Sequence, residues 1–254
     1  PRFWEKVYQA VKDKIDRSSS TKQSLFRHAL NVGRRYNVEY KSQCKRPSPL
    51  LAMEYKLIDK AILRLVRKQI GLENANIFPT AGAAVSPEVE RFVHSVGINM
   101  VVGYGLTESL ATVTCDRENM PFTIGSVGRP INGLEVKIGD NDEILLKGPT
   151  ITRGYYKREA ANKEAFTADG YFRTGDAGYI KDGELFLTDR IKDLFKTSNG
   201  KYIAPQMVES LLLVDKFIDQ VVVIANERKF VSALIVPEFR LVEEWAKERG
   251  IEFS

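Results

Sequence analysis

The chain has little that would staple it or embed it. Its 254 residues include two cysteines, Cys44 and Cys115, and two histidines, His28 and His94. The cysteines are far apart and no Cys/His spacing surrounds them, which excludes a disulfide framework and a zinc site of the usual kind. A reducing cytoplasm is the setting this implies. Both histidines fall within helical patterns without evident partners; they read as surface or half-buried residues, and neither as a catalyst. Long apolar runs are also lacking: uncharged stretches such as Ile98 to Leu106 fall well short of the ~20 residues a spanning helix needs. The opening Pro-Arg-Phe-Trp-Glu-Lys has no initiator Met and no apolar core of a signal peptide, and it reads as the interior of a longer chain. No internal repeat or low-complexity stretch occurs. With 43% hydrophobic and 28% charged residues, the composition is that of a soluble globular protein of one or two domains, not a disordered tail or a fibre.

Charge is unevenly placed. The formal net charge is +5, yet residues 1–70 hold 17 Lys/Arg against 6 Asp/Glu while the remainder holds 21 against 27. A basic first third suits nucleic acid, an anionic membrane surface or an acidic ligand, or is a solvated helical face. No aromatic-basic interleaving of a known module favours nucleic acid.

This basic segment carries helical periodicity. Phe3, Val7, Val11 and Ile15 recur at i, i+4; Leu25, Ala29, Val32 and Tyr36 form a second stripe within Ser20 to Val38. Leu57, Ala61, Leu65 and Ile70 form a third within Leu50 to Ile70, with Gly71 as C-cap. From Asn76 the texture becomes strand, small-residue turn (Ala81 to Val85), helix with Ser86 as N-cap and Pro87 at its first position, then a buried strand from Ile98 to Gly103. That order builds a parallel sheet, whose ligands sit beyond the carboxyl ends of its strands. From about Thr123 short strands alternate with turns: Glu135 to Ile138, Glu143 to Lys147, and a hairpin around Lys181-Asp182-Gly183. After Arg190 a small α+β pattern follows: helix from Pro205, strands Ile218 to Ala225 and Val231 to Pro237, helix Glu238 to Arg249.

Three segments carry chemistry. Gly103-Tyr104-Gly105-Leu106-Thr107-Glu108 follows a strand directly and sets an aromatic ring, a hydroxyl and a carboxylate on one turn, suited to a base, a phosphate and a magnesium ion. Tyr171-Phe172-Arg173-Thr174-Gly175-Asp176 puts a carboxylate on a glycine-flanked turn, suited to a ribose diol. Thr188-Asp189-Arg190-Ile191-Lys192-Asp193-Leu194-Phe195-Lys196 places a charged cluster where the two textures meet. In this order and rough spacing the three strongly resemble the adenylate-forming (AMP-binding) superfamily, and within it the long-chain fatty acyl-CoA synthetases, over nearly the whole chain. Gly125-Ser126-Val127-Gly128-Arg129-Pro130, and Glu143 to Gly148 leading to Gly154-Tyr155-Tyr156, add weaker likeness.

The resemblance implies a mixed α/β fold: the C-terminal part of the large domain over residues 1–190 and an incomplete small C-terminal α+β domain over 191–254. The first comprises a helical basic segment 1–70, a βαβ adenylate site 71–122 and a β-rich subdomain 123–190. It implies that Tyr104 stacks on adenine, that Thr107 contacts the α-phosphate, that Glu108 ligates magnesium and that Gly105 belongs to the same nucleotide turn. Gly82, Ala83 and Ala84 resemble the small-residue turn that lets backbone approach the adenine. Asp176 and Arg190 resemble ribose contacts, Lys192 the hinge between domains, and Gly200 the glycine near the pantetheine tunnel. The implied activity uses ATP, Mg2+ and CoA to turn a long-chain fatty acid into acyl-AMP and then a thioester. The implied setting is cytoplasmic, with residues 1–70 resting on a membrane surface.

The family's Gly-rich phosphate loop upstream of Tyr104 and its late catalytic lysine have no counterpart here; Gly200-Lys201 lies within the hinge motif. The chain therefore reads as an internal piece of a longer enzyme, inactive alone. An acyl-AMP ligase that feeds a carrier protein, and a non-catalytic nucleotide-binding protein, are the competing readings.

Overall fold

The computed structural model describes residues 2–74, 76–83, 85–116, 120–191, 194–196, 202–225 and 228–251. The chain divides into two compact units, Pro1–Ile191 and Lys192–Ser254.

The first unit opens with helices α1 (Arg2–Asp16), α2 (Ser20–Gly33), α3 (Pro49–Ile58) and α4 (Arg64–Gln69). Wide π-type turns over Arg34–Tyr40 and Asp59–Leu63 extend α2 and join α3 to α4. Ser48 caps α3 by accepting a hydrogen bond from Leu51 N, and Gly71, with φ +75°, ends the run after α4. Then come β1 (Phe78–Thr80), α5 (Pro87–Ser95) and β2 (Met100–Tyr104), the last parallel to β1 with Thr80 opposite Val102. Ser86 and Pro87 start α5 as the sequence indicates. Antiparallel β3 (Thr114–Cys115) and β4 (Arg129–Pro130) complete this sheet. A second sheet, fully antiparallel, orders β5 (Glu135–Ile138), β6 (Glu143–Lys147), β7 (Phe172–Lys181) and β8 (Glu184–Arg190), with α6 (Glu159–Ala165) between β6 and β7. Asp182 and Gly183, both at positive φ (+53° and +78°), form the two-residue turn between β7 and β8. This is the mirror-type turn that matches strand twist and for which Asp-Gly is suited.

The core gathers Trp4, Phe26, Val32 and Leu63 from the helices with Val89, Val93, Met100 and Val102 from the βαβ unit. Gly33 is placed by contact: a Cβ there would lie 2.0 Å from Ser95 O, so only glycine lets α2 approach α5 this closely.

Two expected faces are corrected. In α1 the buried aromatics are Trp4 and Tyr8, with Glu5 beside them, while Phe3 is 57% exposed. The aromatics turn inward because each finds a partner for its polar atom: Trp4 Nε1 donates to Thr80 Oγ1 at 2.9 Å, and the Tyr8 hydroxyl donates to Glu88. Along α3 and α4, Leu57 and Leu65 are exposed and Leu51 and Leu63 are buried instead. The π turn at Asp59–Leu63 inserts an extra residue into the helical repeat and rotates the face that follows, which accounts for Leu65 but not for Leu57, which precedes it.

The second unit contains β9 (Phe195–Lys196) paired with β10 (Tyr202–Ile203), then α7 (Pro205–Leu212), the antiparallel pair β11 (Ile218–Ile224) and β12 (Ser232–Pro237), and α8 (Phe239–Lys247). Glu209 of α7 accepts from Val223 N at 2.8 Å, and Trp245 of α8 meets Phe217 edge-on.

Candidate adenylate site

The site grows from the carboxyl end of β2. After Tyr104 the chain folds back at once: Val113 N donates to Tyr104 O at 2.8 Å and Ala111 N to Leu106 O at 3.0 Å, closing a loop over Gly105 to Thr112. Gly105 makes the loop sterically possible, because a Cβ there would sit 1.4 Å from Ala111 O. A single 3-10 turn, Thr107–Ser109, crowns the loop, and Ser109 Oγ bonds the backbone of Leu106. Leu110 and Ala111 follow with φ +53° and +79°, a conformation that L-residues adopt at a cost and that clusters at functional sites.

Around this loop the expected residues converge. The Tyr104 hydroxyl donates to Asp176 Oδ2 at 2.6 Å, and Arg190 Nε lies 3.5 Å from Asp176 Oδ1. Asp176 and Arg190 are cross-strand neighbours on β7 and β8. Burial and the Asp176 charge push the Tyr104 phenol well above its ordinary pKa, so it stays a hydrogen-bond donor. The turn presenting Asp176 is built by its own motif: Arg173 pairs with Glu143 at 2.7 Å, Gly175 N donates to Glu143 at 3.2 Å, and Thr174 Oγ1 donates to Ile144 O at 2.8 Å.

Thr107 is exposed and Glu108 half-buried on the same loop. Ala81, Gly82 and Ala83 are exposed just past the carboxyl end of β1, which the parallel register sets beside the end of β2. Gly82 has φ +88° and open space around it, so main chain there is accessible to a ligand. Ala84, Lys192 and Gly200 lie outside the described residues.

Sequence reasoning missed two features. Tyr155 donates its hydroxyl to Glu108 Oε1 at 3.0 Å, and Thr152 N donates to Glu108 O at 2.7 Å; the Gly-Tyr-Tyr segment was the signal that pointed there. The second is a buried acidic group beneath the β3–β4 connection. Glu90 accepts from Gly125 N at 2.7 Å, and Glu184 accepts from Thr123 N and Oγ1 at 3.0 and 2.6 Å. Burial pushes Glu90 up to about 8 and Asp116 up to about 7. His94 is also buried, 5% exposed, not superficial as expected. Its ring packs on Phe122, and burial lowers its pKa to about 4. His28 does have a neighbour, Glu54 at 3.4 Å.

An aromatic ring and a half-buried carboxylate on the loop after β2 meet a buried carboxylate and its arginine from β7 and β8, beside the carboxyl end of a parallel strand pair, where such sheets take their ligands. The chain belongs to the AMP-binding enzyme family, which it matches over residues 1–156. It is 32% identical to a long-chain-fatty-acid–CoA ligase of Mycobacterium bovis, over 98% of this chain and 40% of that protein. It is equally 32% identical to long-chain-fatty-acid–CoA ligase 1 of Schizosaccharomyces pombe, over 98% and 38%. The chain thus spans about two-fifths of the length of these curated relatives. Among solved structures it resembles the O-succinylbenzoate coenzyme A synthetase of Bacillus subtilis in complex with ATP and magnesium ion, at 26% identity and TM-score 0.59, over 73% of this chain and 43% of that one. The adenylation domain of a carboxylate reductase from Mycobacterium chelonae, at 23% identity and TM-score 0.63, shares the fold over 98% of this chain and 35% of that one.

Proposed function

We propose that the protein containing this chain activates a long-chain fatty acid with ATP and transfers the acyl group to CoA. The observation that carries the reading is the Tyr104–Asp176–Arg190 cluster, in which three separate motif segments meet in hydrogen-bonding and ion-pair contact. The choice of a fatty acid rests on the relatives, two of which are named long-chain-fatty-acid–CoA ligases.

A fatty carboxylate is a poor electrophile. Its oxygen attacks the α-phosphorus of ATP, the bond to the β-phosphate oxygen breaks, and pyrophosphate leaves; the acyl-adenylate then has AMP as a leaving group. The CoA thiol, losing its proton, attacks the carbonyl carbon and AMP departs. In this scheme Tyr104 offers its ring to adenine, Asp176 accepts from the ribose hydroxyls and Arg190 holds Asp176 oriented. The exposed Thr107 hydroxyl donates to the α-phosphate. A hard carboxylate oxygen suits Mg2+, and Glu108 is the residue that would hold it. When bound, that ion neutralises charge developing on the phosphates. The exposed row Lys56, Lys60, Arg64 and Lys68, beside exposed Leu50, Met53, Leu57 and Leu65, supports contact of this segment with anionic lipid.

ATP–pyrophosphate exchange, run with acids from acetate to palmitate on the full-length gene product, tests the reading. Exchange that peaks with long acids and is lost in Glu108→Ala supports it. AMP binding without exchange for any acid overturns it. Thioester formation with CoA, against transfer to a carrier protein, distinguishes the two acceptors.

A further inference from the structure

Tyr155 and Tyr156 are adjacent in the connection between β6 and α6; both are exposed, Tyr155 at 39% the less so. Tyr156 is 86% exposed, whereas the Tyr155 hydroxyl reaches Glu108 Oε1 across 47 residues of sequence. The connection is built to keep it there. Both backbone polar groups of Tyr155 are taken by one amide: its N–H donates to Asn162 Oδ1 at 2.6 Å, and Asn162 Nδ2 donates to Tyr155 O at 2.9 Å. Gly154, at φ +132°, lies so close to this amide that a Cβ would come within 2.8 Å of Asn162 Oδ1. Thr152 Oγ1 accepts from Gly154 N at 3.2 Å, and Thr152 N donates to Glu108 O at 2.7 Å. One connection therefore grips Glu108 by main chain and side chain together.

The Tyr155–Glu108 bond itself lies exposed to solvent, where water competes for both groups and the net gain in stability is modest, so stability is a weak reason for so elaborate a support. Orientation is a stronger one. Carboxylates that ligate a cation are themselves held by outer hydrogen bonds, and losing such a partner weakens metal affinity about 10–100-fold. We infer that Tyr155 is a positioning residue for Glu108, fixing the carboxylate in one orientation for a divalent cation that arrives with the nucleotide, with Asn162 holding Tyr155. This rests on the reading of Glu108 as the metal carboxylate.

The test uses the full-length gene product and Mn2+ as probe, titrated in the presence of ATP and followed by electron paramagnetic resonance. The proteins are wild type, Tyr155→Phe, Tyr155→His, Asn162→Ala and Glu108→Gln. Tyr155→Phe raises the Mn2+ dissociation constant about tenfold, and raises the Mg2+ concentration that half-saturates pyrophosphate exchange in proportion. The KM for ATP at saturating Mg2+ and the Tm stay at wild-type values. Tyr155→His, which keeps a donor, recovers part of the loss, and Asn162→Ala shows a smaller weakening with the phenol intact. Wild-type Mn2+ affinity in Tyr155→Phe beside weakened binding in Glu108→Gln overturns the inference and leaves the proposed function standing. Wild-type affinity in Glu108→Gln overturns the assignment of Glu108 and the inference with it. Loss of ATP binding together with a lowered Tm in Tyr155→Phe makes the residue structural and also overturns the inference.

Discussion

Glu90 is a carboxylate whose surroundings oppose its charge. Burial is the main cause, the Gly125 amide offsets part of it, Asp116 and Glu184 add repulsion and Arg91 a weak attraction. Its pKa is raised from 4.5 to about 8, and that of Asp116 from 3.8 to about 7. The stability each contributes is complete below its unfolded value and is lost as pH rises through the folded value, because the unfolded chain releases the proton first. His94 acts in the opposite sense. Its pKa is lowered from 6.5 to about 4, so its contribution is complete above 6.5 and is lost on acidification. Above pH 6.5 only the carboxyl effect operates, and urea denaturation will show stability falling between pH 6.5 and 8.5. Glu90→Gln keeps an acceptor for Gly125 N and abolishes the titration. It lessens that slope, leaving the share due to Asp116, and exceeds wild type at pH 8.5 by at least about 1 kcal/mol, since a tenfold change in proton affinity corresponds to about 1.4 kcal/mol. An unchanged slope in the variant would refute this account of Glu90.

Among the elements, the loop after β2 carries two consecutive non-glycine residues, Leu110 and Ala111, in the left-handed region. Gly105→Ala drives a Cβ into Ala111 O, and the loop must open to admit it. The expected cost is about 2 kcal/mol or more in chemical denaturation, the range of backbone and overpacking lesions, with loss of nucleotide binding because Tyr104, Thr107 and Glu108 are carried on the displaced backbone. Ala111→Gly works the other way. At φ +79° it removes an unfavourable left-handed alanine and raises stability by roughly 0.5–1 kcal/mol. A fall in Tm for Ala111→Gly would show that the loop carries no such strain. The β7–β8 hairpin follows the same logic with the residues already suited to it, since Asp182 and Gly183 tolerate positive φ.

For the whole molecule, the separation of charge is the property with the widest consequence. The surplus of cations lies in residues 1–70, and Lys56, Lys60, Arg64 and Lys68 form an exposed row beside exposed leucines. Near an anionic bilayer each such cation contributes about 1 kcal/mol at low salt, an attraction that screening shortens to within about 10 Å at 0.1 M salt. Sedimentation with phosphatidylserine vesicles will therefore retain the chain at low ionic strength and release it at high. Replacing the four cations with Gln reduces binding at least tenfold. Equal binding to neutral vesicles would show that the cations have no part in it. No helix among the described residues is long and apolar enough to cross a membrane.

Much of this was written locally. The helix cap at Ser86, the Asp-Gly hairpin, the strand-helix-strand order and the residues Tyr104, Thr107, Glu108, Asp176 and Arg190 are legible because periodicity, turn chemistry and motif spacing act over a few residues of chain. Whether a helix turns Trp4 or Phe3 inward depends on partners elsewhere: Thr80 stands 76 residues from Trp4, and nothing in the period of α1 reveals it. The π turn between α3 and α4 likewise rotates the residues after it without disturbing the pattern that suggests the stripe. His94 and Glu90 look like ordinary surface residues until α5 is covered, and Asp116 until it is drawn in against β2; only then does burial shift their protons. The Tyr155–Glu108 bond is of the same kind. Sequence by itself determined on which elements the groups proposed for the chemistry ride. The tertiary structure decided which of them meet and which are dehydrated, because those outcomes depend on contacts between segments that no local pattern encodes.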